Sequence, residues 1–292
     1  MKILSRLLCA ALGAALLFSS ASHARTVVIG YVNLSFYEAT AAVFQNVLER
    51  SGYNVSMKKG GHSVMYPLLA EGEFDLFVAA WLPHTHAQYW EEYNKDLELV
   101  TPLYDDAKLF WAVPDYVPES AVKSVADLAK PEVAAKMEKT IRGPGADSGL
   151  MMRSKDLMQH YELAQAGYEL APGKASDWID GFNANIEAKN WFVMPLWQPQ
   201  YLNKVAKLRI LEEPENILGE ADTAWLVAHK DAGKKIPRHI FDVLRRMEFT
   251  VKWITELDHM VNVEGYSPRE AARLWMSAHP NTIDYWIDRP YD

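Results

Sequence analysis

An indole and two imidazoles stand close together in the segment 75–93, which reads DLFVAAWLPHTHAQYWEEY. Trp81 ends a short apolar run, and His84 and His86 follow within five residues. The face of an indole attracts cations, while an imidazole can donate a hydrogen bond to a carboxylate. Two histidines could also begin a zinc site, but zinc needs further ligands, and a zinc carrier would have to use His62 as well. The segment therefore offers one group suited to a positive charge and one suited to a negative charge.

Trp197 stands in the same local context as Trp81. It ends the apolar run WFVMPLW (191–197) and, like Trp81, is followed by one residue and then a proline. Ligands of open α/β sheets bind beyond the carboxyl ends of the strands, so the two indoles could face each other across a cleft. Such a pair would bind a quaternary ammonium group, with about 0.5–2 kcal/mol from each contact. Core packing is the alternative for any tryptophan, and we expect it for the remaining candidates, Trp111, Trp178 and Trp225.

The glycine-rich stretch GPGADSGLMM (143–152) precedes a predicted helix. Free backbone N–H groups at a helix N-terminus, together with the helix dipole, attract an anion. Ser148 and the amides of Gly149 and Leu150 are the candidate groups for binding a carboxylate. The glycine spacing is too wide for a dinucleotide-binding fingerprint, and a plain turn explains the stretch equally well.

Composition argues against several other functions. The chain has 30 Lys and Arg residues against 38 Asp and Glu, a net charge of −8, which makes nucleic acid a poor partner. Its single cysteine, Cys9, provides no disulfide framework. The sequence has no G-x-S-x-G, H-E-x-x-H or P-loop pattern. A secreted enzyme acting on a small zwitterion remains an alternative, but it would lack a recognisable nucleophile and base.

The N-terminus has the pattern of a secretory signal peptide. Lys2 and Arg6 precede an apolar run over 7–18, and small residues follow to Ala24. The run is too short to span a bilayer. We expect residues 1–24 to be cleaved and the mature protein to be periplasmic. Without those two cations the chain would carry 28 basic and 38 acidic residues, a net charge of −10, and no cysteine.

The elements that must position these groups alternate between strands and helices. Strand-like runs lie at 26–32, 53–58, 74–80, 139–143, 191–197 and 222–230. Helical stretches lie at 38–52, 63–72, 174–190 and 268–280, and another begins at Leu150. The segment 108–118, with its two prolines, is typical of a crossover. This alternation predicts an α/β protein with a mostly parallel sheet.

The pattern falls into two sets of elements, which predict two lobes around a cleft. Binding proteins hold ligands in clefts of this kind. We assign residues 25–115 and 220–292 to lobe I and residues 116–219 to lobe II.

A series of short motifs resembles the substrate-binding proteins of ABC importers for glycine betaine, choline and related quaternary amines, the OpuAC-like family. The motifs cover essentially the whole expected mature chain and are IGY, LERSGYNV, SVMYPLLAEGEFDLFVAAWLPHTHAQYW, AVPDYV, SVADL, GADSGLM, W-Q-P and LRILEEP. The resemblance implies the type II periplasmic binding protein fold, in which two α/β lobes close on a ligand in the cleft between them. It also implies delivery of that ligand to a membrane permease.

The resemblance further implies roles for individual residues. Trp81 and Trp197 correspond to two walls of the aromatic cage that holds the ammonium group in the family. In the betaine-binding branch, the histidine of W-L-P-x-T-H and the two amides of S-G-[IL]-M hold the ligand carboxylate. These positions are His86, Gly149 and Leu150 here.

Two departures from the family pattern affect the cage. Where the family usually has a tryptophan on the first helix in a W-x-[DE] setting, this chain has NLSFYEAT, so Phe36 or Tyr37 would complete the cage. The family's W-x-P-H-W becomes W-Q-P-Q-Y at 197–201 and loses its histidine. Glu38 could neutralise a primary or secondary ammonium, which would favour an amino-acid-like ligand, or it could be an ordinary first-turn helix acid.

We therefore expect an extracytoplasmic binding protein for a small zwitterion such as glycine betaine, carnitine or a related quaternary amine. Its partners would be the permease and ATPase of an ABC importer. We expect a monomer without catalytic activity, cofactor or metal ion. The alternatives are a carrier of an amino-acid-like zwitterion, the secreted enzyme, and a zinc-binding carrier that uses His62, His84 and His86.

Overall fold

The computed structural model describes residues 26–287, and the predicted signal peptide lies outside this range. The strands are β1 (Thr26–Val32), β2 (Asn54–Gly60), β3 (Leu76–Leu82), β4 (Leu97–Pro114), β5 (Thr140–Gly143), β6 (Glu169–Pro172), β7 (Met194–Gln198), β8 (Leu208–Ile210) and β9 (Asp222–His229). The helices are α1 (Ser35–Arg50), α2 (His62–Ala70), α3 (Ala87–Tyr93), α4 (Pro131–Ala134), α5 (Gly149–His160), α6 (Ala175–Ala188), α7 (Leu202–Val205), α8 (Arg238–Arg245), α9 (Val251–Asn262), α10 (Pro268–Ala278) and α11 (Pro280–Ile287). Short 3₁₀ helices cover Asn94–Asp96, Val125–Ala129 and Ala232–Lys234.

The main sheet has the strand order β2-β1-β3-β9-β4-β7, with β8 beside β4. Strand β1 pairs in parallel with β2 and β3, and β3 pairs antiparallel with β9. Every residue of β3, LFVAAWL, is buried, as expected for an apolar strand at the centre of a covered sheet. The carboxyl end of β3 therefore places Trp81 beside the loop that carries His84 and His86.

The sheet is mixed, and the expectation of a mostly parallel sheet is wrong. Within residues 26–287, two strand pairs of this sheet are parallel and four are antiparallel. The reason lies in β4, which pairs with β9 over its first half and with β7 and β8 over its second half. The chain passes outward along β4 and returns along β9, so the two neighbours run in opposite directions. The crossover expected at 108–118 is the second half of β4 and the turn that follows it.

A second group of elements lies between β4 and β9. Strands β5 and β6 pair in parallel and form a separate two-stranded sheet. Helix α6 packs on β5, and α5 packs on β7. This group falls within the predicted lobe II, although the lobe boundaries at 115/116 and 219/220 remain a prediction.

The helices that follow β9 pack back onto the first group. Helices α9 and α10 both contact α1. Thr250 caps α9 by accepting from the N–H of Trp253, and Ser267 and Glu270 form a capping box at the start of α10. The amphipathic stretch predicted at 268–280 is thus confirmed as α10. None of the helices between residues 26 and 287 is long and apolar enough to cross a membrane.

Candidate ligand-binding site

A cavity lies where the end of β3, the start of α1, the N-terminus of α5 and β7 come together. Its volume is about 30 Å³, far below the roughly 300–1,000 Å³ of typical ligand pockets, so the surrounding side chains are closely packed and would have to move apart to admit a zwitterion. Its lining residues are Leu34, Phe36, Tyr37, His62, Trp81, Thr85, His86, Leu109, Pro144, Ser148, Gly149, Leu150 and Trp197. Of the nine residues predicted to bind ligand, Glu38 is the one outside this lining.

Phe36 connects the two tryptophans of the cavity. Its ring centroid lies 5.9 Å from that of Trp81 and 5.8 Å from that of Trp197, with interplanar angles of 53° and 46°. Tyr37 lies 3.9 Å from Phe36 and 6.2 Å from Trp81. The rings are tilted to one another rather than stacked. Four aromatic side chains therefore form one continuous aromatic wall.

The two tryptophans are held in different ways. The Nε1–H of Trp81 donates to Oη of Tyr104 at 3.0 Å, deep in the core. Trp197 packs edge-on against Trp178, with ring centroids 5.6 Å apart. Its Nε1 is buried and has no hydrogen-bond partner within residues 26–287. A hydrogen bond thus fixes Trp81, whereas packing fixes Trp197.

A hydrogen bond from the backbone of Trp81 determines which ring nitrogen of His86 carries the proton. The N–H of Trp81 donates to Nδ1 of His86 at 2.9 Å, so Nδ1 carries no proton and Nε2 carries it. Burial lowers the pKa of His86 well below 6.5, and the neighbouring His62 acts in the same direction. At neutral pH His86 is therefore an uncharged imidazole whose Nε2–H can donate to an anion.

The N-terminus of α5 adds further donors to the cavity. Ser148 is its N-cap, and its Oγ accepts from the N–H of Met151 at 3.2 Å. The N–H groups of Gly149 and Leu150 belong to the first turn, where the helix supplies no acceptor. A side chain at Gly149 would overlap the carbonyl oxygen of Thr85. Glycine therefore allows the positive end of α5 to approach the loop that ends in His86.

His62 lines the same cavity, although the sequence placed it only in the zinc alternative. It is the first residue of α2, and its ring centroid lies 4.9 Å from that of His86. Burial lowers the pKa of His62 to about 4, while Asp147 acts in the opposite direction. Asp147 itself accepts from the N–H and Oγ of Ser63, each at 2.9 Å.

Four other lining residues were not predicted from the sequence, because they are uncharged and have no diagnostic spacing. They are Leu34, Thr85, Leu109 and Pro144.

Glu38 makes its contacts away from the cavity. Its Oε1 accepts from Oη of Tyr31 at 3.0 Å and lies 3.7 Å from Nζ of Lys59. The carboxylate is in the first turn of α1 and is engaged with the neighbouring strands. The geometry therefore matches the first-turn acid rather than a partner for a ligand ammonium.

The other expected alternatives can be placed as well. Trp111 is fully buried, and its Nε1–H donates to Oγ of Ser154 at 2.9 Å. Trp178 is buried against Trp197, and Trp225 is partly buried on β9; neither lines the cavity. Within residues 26–287, no three His, Cys, Asp or Glu side chains are grouped so as to hold a metal ion.

Comparisons with known proteins agree with this architecture. Residues 25–278 match the family described as the substrate binding domain of the ABC-type glycine betaine transport system. The glycine betaine/carnitine transport binding protein GbuC of Listeria monocytogenes is 24% identical over 160 residues, which are 55% of this chain and 53% of GbuC. The chain thus spans about half the length of this curated relative.

Two crystal structures share the fold. Lactococcal OpuAC, in a closed conformation with glycine betaine, has a TM-score of 0.81 at 25% identity, and the match covers 90% of this chain and 99% of OpuAC. ProX of Borrelia burgdorferi has a TM-score of 0.82 at 23% identity, and the match covers 90% of this chain and 97% of ProX. The fold is therefore the predicted two-lobed, type II periplasmic binding protein fold. The chain belongs to the family of substrate-binding domains of ABC-type glycine betaine transport systems.

Proposed function

We propose that this protein binds a small zwitterion with a quaternary ammonium group, such as glycine betaine or carnitine, and delivers it to the permease of an ABC importer. The observation that carries the proposal is one cavity that combines four aromatic rings with the Nε2–H of His86 and the N-terminus of α5. Ring faces attract a cation that offers no hydrogen-bond donors. The imidazole and the helix N-terminus suit a carboxylate.

The uncharged lining favours a quaternary ammonium over a primary one. Among the described residues, no aspartate or glutamate lines the cavity. A primary ammonium carries N–H donors that need acceptors once water is removed, whereas a trimethylammonium needs only contact with ring faces. Glu38, the acid that could have met a primary ammonium, is bonded to Tyr31 outside the cavity. A betaine-like ligand therefore fits better than an amino-acid-like one.

The same geometry favours carriage over catalysis. His86 has no free basic nitrogen, because Nδ1 accepts from Trp81 and Nε2 carries the proton. The hydroxyl of Ser148 caps α5 and accepts from Met151. Among the described residues of the lining, Ser148 and His86 are thus both engaged and do not form the nucleophile and base pair that acyl or group transfer uses. The ligand would therefore be released without any chemical change.

The cellular location and the partners of the protein follow from the same proposal. Residues 1–24 would direct export to the periplasm, where the mature chain acts as a monomer. It would meet the permease and ATPase complex with its lobes closed on the ligand. The closed, glycine betaine-bound state of lactococcal OpuAC supports this sequence of events by analogy.

A ligand screen tests the proposal. The purified protein is heated with glycine betaine, carnitine, choline and proline, and affinities are then measured by isothermal titration calorimetry. Ligand at about one hundred times its Kd stabilises the folded state by about 2.7 kcal/mol, so a clear rise in Tm is expected with glycine betaine or carnitine. Absence of any shift with every quaternary amine would contradict the proposal. Nuclear magnetic resonance of the recovered ligand separates a carrier from an enzyme, since a carrier returns it unaltered.

A further inference from the structure

Asp258 on α9 is a carboxylate with no exposed surface, and it lies outside the cavity. It accepts from Oγ of Ser35 at 2.6 Å, from the backbone N–H of Tyr201 at 2.8 Å and from Nδ2 of Asn262 at 2.9 Å. A carboxylate removed from water is costly unless donors of this kind surround it. The ionised carboxylate therefore depends on donors from Ser35 and Tyr201 as well as on Asn262 of its own helix.

Two of these donors lie beside different parts of the aromatic wall. Ser35 begins α1 and directly precedes Phe36, whereas Tyr201 follows β7, shortly after Trp197. Nδ2 of Asn203 donates to the carbonyl oxygen of Trp197 at 2.8 Å, so the turn that contains Tyr201 is tied to the backbone of Trp197. The hydrogen bonds to Asp258 thus connect the same two segments whose rings, Phe36 and Trp197, lie 5.8 Å apart.

We propose that Asp258 is a positioning residue for ligand binding: its carboxylate fastens the turn after Trp197 to the first turn of α1 and so holds Trp197 beside Phe36. The inference rests on the proposed function, because it concerns how the two sides of the same cavity are held together. Asp258 contacts no ligand itself. Its bond to Tyr201 joins the predicted lobe I to the predicted lobe II.

The chemistry of the carboxylate supports this role. Oδ1 faces Ser35 and Asn262, while Oδ2 faces the N–H of Tyr201. Burial raises the pKa of Asp258 to about 6, and the three hydrogen bonds oppose that rise. At neutral pH the group is mainly ionised and can accept on both oxygens. Asparagine has the same shape but accepts on one side only, so at least one of the links would be lost.

Affinity measurements on matched variants test the inference. Glycine betaine is titrated into the wild type, Asp258→Asn, Ser35→Ala and Glu256→Gln, the last being a matched loss of charge on the same helix beside Lys252. We expect Asp258→Asn to weaken binding by roughly tenfold or more, because it removes the buried charge, and Ser35→Ala by about threefold, because it removes one hydrogen bond to that charge. Glu256→Gln should bind like the wild type.

A distance measurement separates positioning from general stability. Residues 26–292 contain no cysteine, so spin labels at Val64→Cys on α2 and Ile210→Cys on β8, both exposed positions, report a single distance by pulsed electron paramagnetic resonance. With saturating glycine betaine, the wild type should give one narrow distribution. The same labels in Asp258→Asn should give a longer or broader one.

The outcomes are distinct. Unchanged affinity in Asp258→Asn, or weaker affinity with an unchanged distance distribution, overturns the inference, even if the ligand-free variant melts at a lower temperature. If Asp258→Asn does not fold, Ser35→Ala decides the question with the same two measurements, because it keeps the carboxylate. A wild type that binds no quaternary amine refutes the proposed function instead, and this is seen before any variant is compared.

Discussion

Trp81 and His86 are joined by two hydrogen bonds in opposite directions. The N–H of Trp81 donates to Nδ1 of His86 at 2.9 Å, and the N–H of His86 donates to the carbonyl oxygen of Trp81 at 3.0 Å. Their ring centroids lie 6.4 Å apart. One tight turn therefore fixes the positions of both the ring proposed to face a cation and the imidazole proposed to face a carboxylate, and under that proposal it sets the distance between the two charges of a ligand.

The first prediction concerns the anion donor. His86→Ala should weaken binding of glycine betaine and carnitine by about tenfold or more, because a buried carboxylate would lose one hydrogen-bond donor. Choline, which has no carboxylate, should lose much less. Isothermal titration calorimetry with the three ligands measures the difference. His84→Ala is the matched control, since that side chain is outside the cavity lining. Equal losses for all three ligands would remove the carboxylate assignment.

The second prediction concerns the aromatic wall. Trp81→Ala, Trp197→Ala and Phe36→Ala should each reduce affinity by more than about tenfold, or about 1.4 kcal/mol, since each removes a ring face from the ammonium group. Choline and glycine betaine share that group, so both should lose affinity alike, in contrast to the pattern for His86→Ala. Trp191→Ala, a partly buried tryptophan away from the cavity, controls for loss of an indole. Full affinity in Trp81→Ala and Trp197→Ala together would rule out the cage.

Much of this arrangement could be predicted from the sequence because it depends on local signals. The apolar run before Trp81 predicts a buried strand, and β3 ends at Leu82, two residues beyond the predicted end. The glycine-rich stretch predicts the start of α5 to within one residue of Leu150. The resemblance to quaternary-amine binding proteins is confirmed by the match over residues 25–278. Binding roles for the individual residues remain predictions.

The rest depends on contacts between distant segments, which periodicity does not reveal. Lone His62 at the start of α2 gives no signal that its ring will lie 4.9 Å from that of His86. Asp258 reads as an ordinary helix acid, although it is buried and binds residues more than fifty positions away. The direction of strand pairing was also missed, because β4 and β9 acquire their antiparallel order only when the chain returns from its second group of elements.

The third prediction concerns the close approach at Gly149. A methyl group there would overlap the backbone of Thr85, which cannot move aside as a flexible side chain can. Gly149→Ala should therefore push α5 away from the loop that ends in His86 and weaken glycine betaine binding by about tenfold or more. Gly233→Ala is the control, because nothing lies within 4 Å of a side chain at that position. If calorimetry gives the same affinity for both variants, the close approach of α5 to Thr85 is not required for binding.

The last prediction concerns acid stability and arises from His62. Burial lowers its pKa to about 4 in the folded protein, whereas an unfolded histidine titrates near about 6.5. As pH falls from about 6.5 to about 4, the unfolded chain takes up a proton that the folded site resists, so His62 stabilises the fold above this window and that stability is lost within it. His62→Asn cannot titrate and should lose less stability on acidification, by on the order of 2 kcal/mol.

Urea unfolding of both proteins near about pH 7 and about pH 4.5 measures this difference directly. His239→Asn, which replaces a histidine outside the cavity, shows how much of the change comes from removing any imidazole. Because the same burial keeps His62 uncharged near neutral pH, its titration should not change glycine betaine affinity between about pH 7 and pH 8. If wild type and His62→Asn lose the same unfolding free energy between about pH 7 and about pH 4.5, the imidazole does not lie buried beside His86.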